Sequence, residues 1–220
     1  MKLGLVLVGA VALVLVAPSG AAAQLNGMPV WNSPRAGTGL LIAGDVGRPD
    51  SAGEIGTTLD GRVAFGVHAL TLSASFGTNK PAGSESLTEY GGTAAYRLIG
   101  GARLPVAVNL QGGFGRASAF GTVGTRYTGA VGLSVRVPTP GVSVEPWVAP
   151  GVRVNPVGAT GTSASQQKPE FGIAGGLTVS VGVFGVHAAA DVEQRPGGGH
   201  TTIVGLGAQL NLRPPLGGGG

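Results

Sequence analysis

Apolar and polar positions alternate at every second residue along most of the chain after residue 37. In one central segment Val106, Val108 and Leu110 share one face, while Asn109 and Gln111 share the other. This period of two is typical of a β-strand with one apolar face, and abundant Gly and β-branched residues disfavour helices. The pattern predicts ten strands, at 38–47, 57–67, 70–78, 86–99, 104–116, 123–137, 142–155, 169–181, 184–194 and 200–213.

The connections between these predicted strands alternate between long and short. The longer, polar connections are residues 48–56, 79–85, 117–122, 156–168 and 195–199. The short ones are residues 68–69, 100–103, 138–141 and 182–183. Tight turns at one end and longer loops at the other are typical of up-and-down membrane barrels. We therefore expect an all-β fold, an up-and-down antiparallel transmembrane β-barrel of about ten strands, with eight strands as the alternative.

The first 23 residues have the features of a secretory signal peptide. Lys2 supplies a positive charge, the apolar run from Leu3 to Ala17 follows, and Ala21-Ala22-Ala23 forms a small-residue cleavage pattern. We expect Sec-type export with cleavage near Ala23. The rest of the chain then divides into an N-terminal periplasmic segment at 24–37, a β-barrel at 38–213 and a glycine-rich tail at 214–220.

Composition supports a membrane protein without spanning helices. Only 11% of the residues are charged, against about 25% in soluble proteins. After residue 23 no apolar run is long enough to cross a bilayer as a helix. The net charge is +4, but the basic residues are scattered and no aromatic platform accompanies them, which argues against nucleic-acid binding. The chain has no Cys, so disulfides are excluded.

Aromatic residues with the apolar-face parity fall at two levels of the predicted barrel. Near the external ends lie Phe76, Tyr90, Phe114, Tyr127 and Phe171. Toward the periplasmic ends lie Phe65, Tyr96 and Phe184. Two rings of outward aromatic side chains are typical of the membrane–water interfaces of such barrels. Trp147 departs from this rule because it has the polar-face parity.

With these features the chain resembles the small outer-membrane β-barrel proteins of Gram-negative-type bacteria, a porin-like family. The resemblance implies a location in the bacterial outer membrane, with outer-membrane lipids and the barrel-insertion machinery as partners. One departure concerns the end of the chain. Barrels of this family typically end in an alternating strand with a terminal aromatic residue, whereas here Arg213-Pro214-Pro215 and a glycine tail follow the last strand.

Charged residues concentrate on the face opposite the apolar one, which lines the interior if the apolar face meets lipid. These predicted lumen residues are Asp45, Asp60, Arg62, Glu89, Arg97, Arg126, Arg136, Glu145, Arg153, Glu170, Asp191 and Glu193. Arg213 has the same parity, so seven acids face six arginines, and this near balance favours an ion-paired, structural interior. A narrow channel for small solutes or ions is the other interpretation of the same residues.

Catalytic and metal-binding constellations do not emerge from the pattern. His68 and His187 are placed beside different periplasmic turns, and His200 at an external loop. His187 and Asp191 share a face, but four residues of strand separate them by roughly 13 Å. We therefore expect turn or rim histidines, no catalytic residue, no metal and no cofactor. An outer-membrane enzyme acting on lipid or peptide, and a secreted soluble β-sandwich that binds a ligand, remain the alternatives.

Overall fold

The computed structural model describes residues 25, 28–29, 34, 39–50, 56–81, 83, 85–101, 104–119, 122–154, 169–195 and 198–212. Within this part of the chain the regular structure is entirely β. The strands are β1 (Gly39–Pro49), β2 (Thr57–Val67), β3 (Leu70–Lys80), β4 (Leu87–Ile99), β5 (Val106–Ala119), β6 (Thr122–Val135, continued by Val137–Thr139), β7 (Val142–Val154), β8 (Glu170–Val181), β9 (Phe184–Gln194) and β10 (His200–Leu212).

The ten strands form one closed, antiparallel, up-and-down barrel. Each strand pairs with its neighbours in the chain, and β1 pairs with β10 from Leu40↔Leu212 to Pro49↔Ile203. Closure leaves the sheet without a free edge. The prediction of a ten-stranded barrel is confirmed. The eight-stranded alternative and the two-sheet sandwich are wrong.

The interruption of β6 at Arg136 does not break the sheet. Ser134 pairs with Trp147 and Val137 pairs with Val144, so both parts of the strand keep one register with β7. The backbone nitrogen of Arg136 donates to the carbonyl oxygen of Pro105 at 2.7 Å. The predicted strand 123–137 therefore behaves as a single wall element.

Large apolar side chains cover the outside of the barrel. Leu59, Phe184 and Leu206 have exposed fractions of 60%, 67% and 62%. The alternate positions are buried and mostly polar or small, as in the burial pattern of β2. A soluble antiparallel sheet buries its apolar face instead. No helix in the described ranges is long and apolar enough to cross a membrane.

Short turns close one end of the barrel. Gly141 and Gly182 have φ values of 77° and 59° there, which glycine adopts without steric cost. His68 has a φ of 55° in the turn between β2 and β3, a conformation uncommon for residues other than glycine. The Nη2 atom of Arg97 donates to the carbonyl oxygen of His68 at 2.9 Å and so supports that turn.

Candidate functional site: the barrel lumen

The structure places all twelve sequence-predicted lumen charges on the inward face of the barrel wall. Nine are buried: Asp45, Asp60, Arg62, Glu89, Arg126, Glu145, Arg153, Asp191 and Glu193. Arg97, Arg136 and Glu170 are partly buried. Arg97 and Arg136 lie toward the turn end, where Arg136 Nη2 is 3.7 Å from Glu145 Oε2.

Four charged residues from β6, β7 and β9 form one group, here called the Arg153 cluster: Arg126, Arg153, Asp191 and Glu193. The Nη2 atom of Arg153 donates to both carboxylate oxygens of Asp191, at 2.8 and 2.7 Å. Its Nε atom lies 3.5 Å from Glu193 Oε1, and the same oxygen accepts from Nη2 of Arg126. Two cations and two anions therefore balance each other within hydrogen-bonding reach.

A glycine in β8 lets this cluster span a strand. Arg153 belongs to β7 and Asp191 to β9, with β8 between them. A Cβ atom at Gly172 of β8 would lie only 2.8 Å from Cζ of Arg153. The guanidinium thus passes over the glycine backbone, and a side chain there would block it.

A second group, here called the Asp45 cluster, joins β1, β2 and β9. Asp45 Oδ2 accepts from Nε of Arg62 at 3.2 Å, and Asp45 Oδ1 lies 2.6 Å from Nε2 of His187. The intervening strand β10 again carries a glycine, since a Cβ atom at Gly207 would meet both Asp45 and His187. Asp60, opposite Asp45 on β2, is buried beside this group.

The expectation that His187 is a turn or rim residue is wrong. Its side chain is 3% exposed and contacts Asp45 of another strand. The sequence argument considered only Asp191, which shares β9 with His187. The sequence did contain a signal for this position, because His187 lies on the same face of β9 as Asp191 and Glu193. His68 and His200 are exposed, in a turn and at the start of β10 respectively.

The unexpected parity of Trp147 reflects a position inside the barrel. Trp147 is 6% exposed and packs with Ala149, Ala174 and Ala189. Its indole ring lies over Gly176, where a Cβ atom would come within 2.7 Å of Cζ2. The lumen therefore contains an apolar layer as well as ion pairs.

Residues that precede β1 also occupy the lumen. Leu25 and Met28 are 3% and 2% exposed, and Pro34 is fully buried. A Cβ atom added at Gly77 would lie 3.1 Å from Cδ1 of Leu25, and a Cβ atom added at Gly132 would lie 2.8 Å from Cγ of Pro34. Each of these residues therefore packs directly against a glycine of the wall. Both glycines have inward parity. The sequence placed segment 24–37 in the periplasm, whereas its described residues lie against the inner wall.

The charged side chains of the two clusters are almost completely buried. In the Arg153 cluster the side-chain exposure is 1% for Arg153, 0% for Asp191, 4% for Arg126 and 7% for Glu193. A water-filled channel lined by these groups would leave their charged atoms accessible. Neighbouring side chains therefore cover the charged atoms of these clusters.

The aromatic residues predicted for the interfaces point outward. Phe76 lies directly opposite Tyr90, and Phe114 directly opposite Tyr127. The rings of the second pair are 5.6 Å apart between centroids, with an interplanar angle of 40°, within the range of favourable aromatic contacts. Phe171 lies outward at the loop end, and Phe65, Tyr96 and Phe184 lie outward toward the turn end.

The described residues contain no group of three or more His, Asp or Glu side chains arranged to hold a metal ion.

No protein-family model matches this chain, and no curated protein matches it.

Solved structures of bacterial outer-membrane proteins are similar in fold. A bacterial polysaccharide outer membrane secretin matches with a TM-score of 0.46 and 13% identity, over 76% of this chain and 58% of that one. LpxR from Salmonella typhimurium matches with a TM-score of 0.45 and 10% identity, over 78% and 100%. The N-terminal β-barrel domain of Pseudomonas aeruginosa OprF matches with a TM-score of 0.38 and 14% identity, over 79% and 96%. These likenesses concern the barrel fold alone.

Proposed function

We propose that this chain is a non-enzymatic, structural outer-membrane β-barrel protein whose lumen is closed by ion pairs. One observation carries the proposal: the Arg153 cluster joins β6, β7 and β9 along the inner wall with almost no exposed charge. Opposite charges that are buried together offset part of each other's desolvation cost. Leu25, Met28 and Pro34 fill further space in the same lumen.

The apolar outer surface supports the membrane location. Side chains such as Leu59, Phe184 and Leu206 would be costly to expose to water over a whole closed wall. The hydrocarbon core of a membrane accommodates such side chains without that cost. Export through a signal peptide cleaved near Ala23, insertion by the barrel-insertion machinery and contact with outer-membrane lipids complete this proposal.

Planar-bilayer recording of the folded protein tests the closed lumen. We expect no stepwise conductance from the wild-type barrel under conditions in which a large porin, as positive control, conducts readily. Stable current steps from correctly folded wild-type protein would contradict the proposal. They would support the narrow channel for small solutes or ions instead.

The contact between His187 and Asp45 resembles the acid–base pair of an enzyme, so it calls for a separate test. Both side chains are enclosed, at 3% and 0% exposure, and a substrate therefore has no route to them in this conformation. Overexpression in a Gram-negative host should leave the mass profile of lipid A unchanged. A new lipid species that disappears in His187→Ala would establish the enzyme alternative.

A further inference from the structure

The acidic side chains of the described strands are confined to the inner face of the barrel wall. The charged side chains at outward positions of these strands are all cationic: Arg48 on β1, Lys80 on β3 and Arg116 on β5. These outward cations cannot pair with the inward acids, because the barrel wall lies between them.

All three outward cations lie at the loop end of their strands. Arg48 is the second-last residue of β1, Lys80 is the last of β3, and Arg116 is the fourth-last of β5. At the turn end of the same strands the outward residues are apolar, as at Leu70 and Val106. A charge on the lipid-facing surface costs most at the bilayer midplane and little near an interface, so this position is compatible with membrane insertion.

The three cations share one side of the barrel, here called the cationic flank. Lys80 pairs with Thr57 and Gly47 with Thr58, so Arg48 and Lys80 lie at one level, on the order of 10 Å apart around the wall. Arg116 lies at the level of Tyr90 and Phe76, four residues and roughly 13 Å deeper than Lys80. Aromatic rings lie below Lys80 and beside Arg116. Phe76 is four residues below Lys80 on β3, and Tyr90 pairs directly with Arg116.

We propose that the cationic flank binds the phosphate groups of a multiply phosphorylated glycolipid in the outer leaflet. Cations near the membrane surface attract anionic headgroups, and arginine suits phosphate oxygens through its planar fork. Two cations about 10 Å apart, with a third roughly 13 Å deeper, offer contacts to a headgroup with more than one phosphate, while the rings beside Arg116 contact its acyl chains. This inference rests on the proposed outer-membrane location but not on whether the lumen is closed.

Native mass spectrometry of the folded barrel in detergent tests the inference, with bisphosphorylated lipid A as the probe. We expect a retained lipid adduct that is lost when the lipid is fully dephosphorylated. Each cation should contribute about fivefold in affinity, so Arg48→Ala/Lys80→Ala/Arg116→Ala should bind on the order of 100-fold more weakly. Inorganic phosphate at the lipid's concentration should not displace it.

Two matched variants separate headgroup binding from loss of structure. The charge-retaining Arg48→Lys/Lys80→Arg/Arg116→Lys protein should keep the adduct. Arg97→Ala/Arg136→Ala, which removes cations at the turn end, should bind lipid A like the wild type. Heat-dependent gel mobility checks that each protein is folded, and the three single Ala variants replace the triple one if it is not.

Three outcomes would overturn the inference: unchanged affinity in the folded Ala variants, equal binding of dephosphorylated lipid A, or displacement by inorganic phosphate alone. The last would identify a simple phosphate site. Conductance in a planar bilayer would contradict the closed lumen but would not change the result of the lipid-binding experiment. Failure of the proposed function and failure of this inference are therefore distinguishable.

Discussion

His187 and Asp45 lie 2.6 Å apart, Nε2 to Oδ1, although a whole strand separates β9 from β1. The contact exists because Gly207 of β10 presents no side chain between them. The same device operates at Gly172, beneath the guanidinium of Arg153. Glycine on the inner wall thus determines which charges meet.

Gly207→Ala should destabilise the folded barrel. Its Cβ atom would lie between Asp45 and His187, and overpacking of this kind costs about 1–3 kcal/mol. Urea unfolding in lipid vesicles, followed by fluorescence, measures the loss. The control is Gly44→Ala on β1, where the nearest heavy atom is 4.0 Å from the new Cβ and a change within about 0.5 kcal/mol is expected. Equal effects of the two substitutions would contradict this account.

Arg153→Met should cost more than removal of a peripheral arginine. It leaves Asp191 and Glu193 buried without their shared cation, a loss of about 3–5 kcal/mol in the free energy of unfolding. Adding Asp191→Asn should recover part of it, since Arg126 and Glu193 then balance each other. Arg97→Met, where one hydrogen bond to His68 is lost, should cost about 1 kcal/mol or less. Similar losses at Arg153 and Arg97 would show that the cluster is not a buried network.

Fluorescence quenching should distinguish the two faces of the wall. In a Trp31→Phe background, emission from Trp147 should resist quenching by brominated acyl chains, because its ring lies inside the barrel. A tryptophan moved to the outward position of Leu133, with Trp147→Phe, should be strongly quenched, since Leu133 is 41% exposed on the outer face. The assignment of faces fails if both tryptophans respond equally.

Chemical cross-linking should detect the N-terminal segment within the lumen. Because the chain has no Cys, Pro34→Cys/Gln111→Cys provides a unique thiol pair. The Cγ atom of Pro34 and Nε2 of Gln111 would both lie within 2.9 Å of a Cβ atom at Gly132. A short bifunctional thiol reagent should join the pair efficiently in the folded barrel. Pro34→Cys/Leu110→Cys is the control, since Leu110 precedes Gln111 on the same strand and its side chain points outward. Cross-linking of the control pair alone would place the segment outside the barrel.

The number of strands, their approximate bounds and the face on which each side chain lies were all determined by the sequence. These features depend on a period of two, which any short stretch of strand expresses by itself. That is why the inward parity of Asp45, Arg153 and Asp191 was evident before any contact between them was. The outward aromatic pairs followed from the same local rule.

Only the tertiary structure decided which inward groups touch. The contacts of Asp45 with His187 and of Arg153 with Asp191 each skip a strand, so they depend on register, wall curvature and the glycine between. Trp147 and the residues around Pro34 likewise fill space that exists only once the sheet has closed. Local alternation carries no information about distances across a lumen, because those distances are set by strands that are remote in the chain.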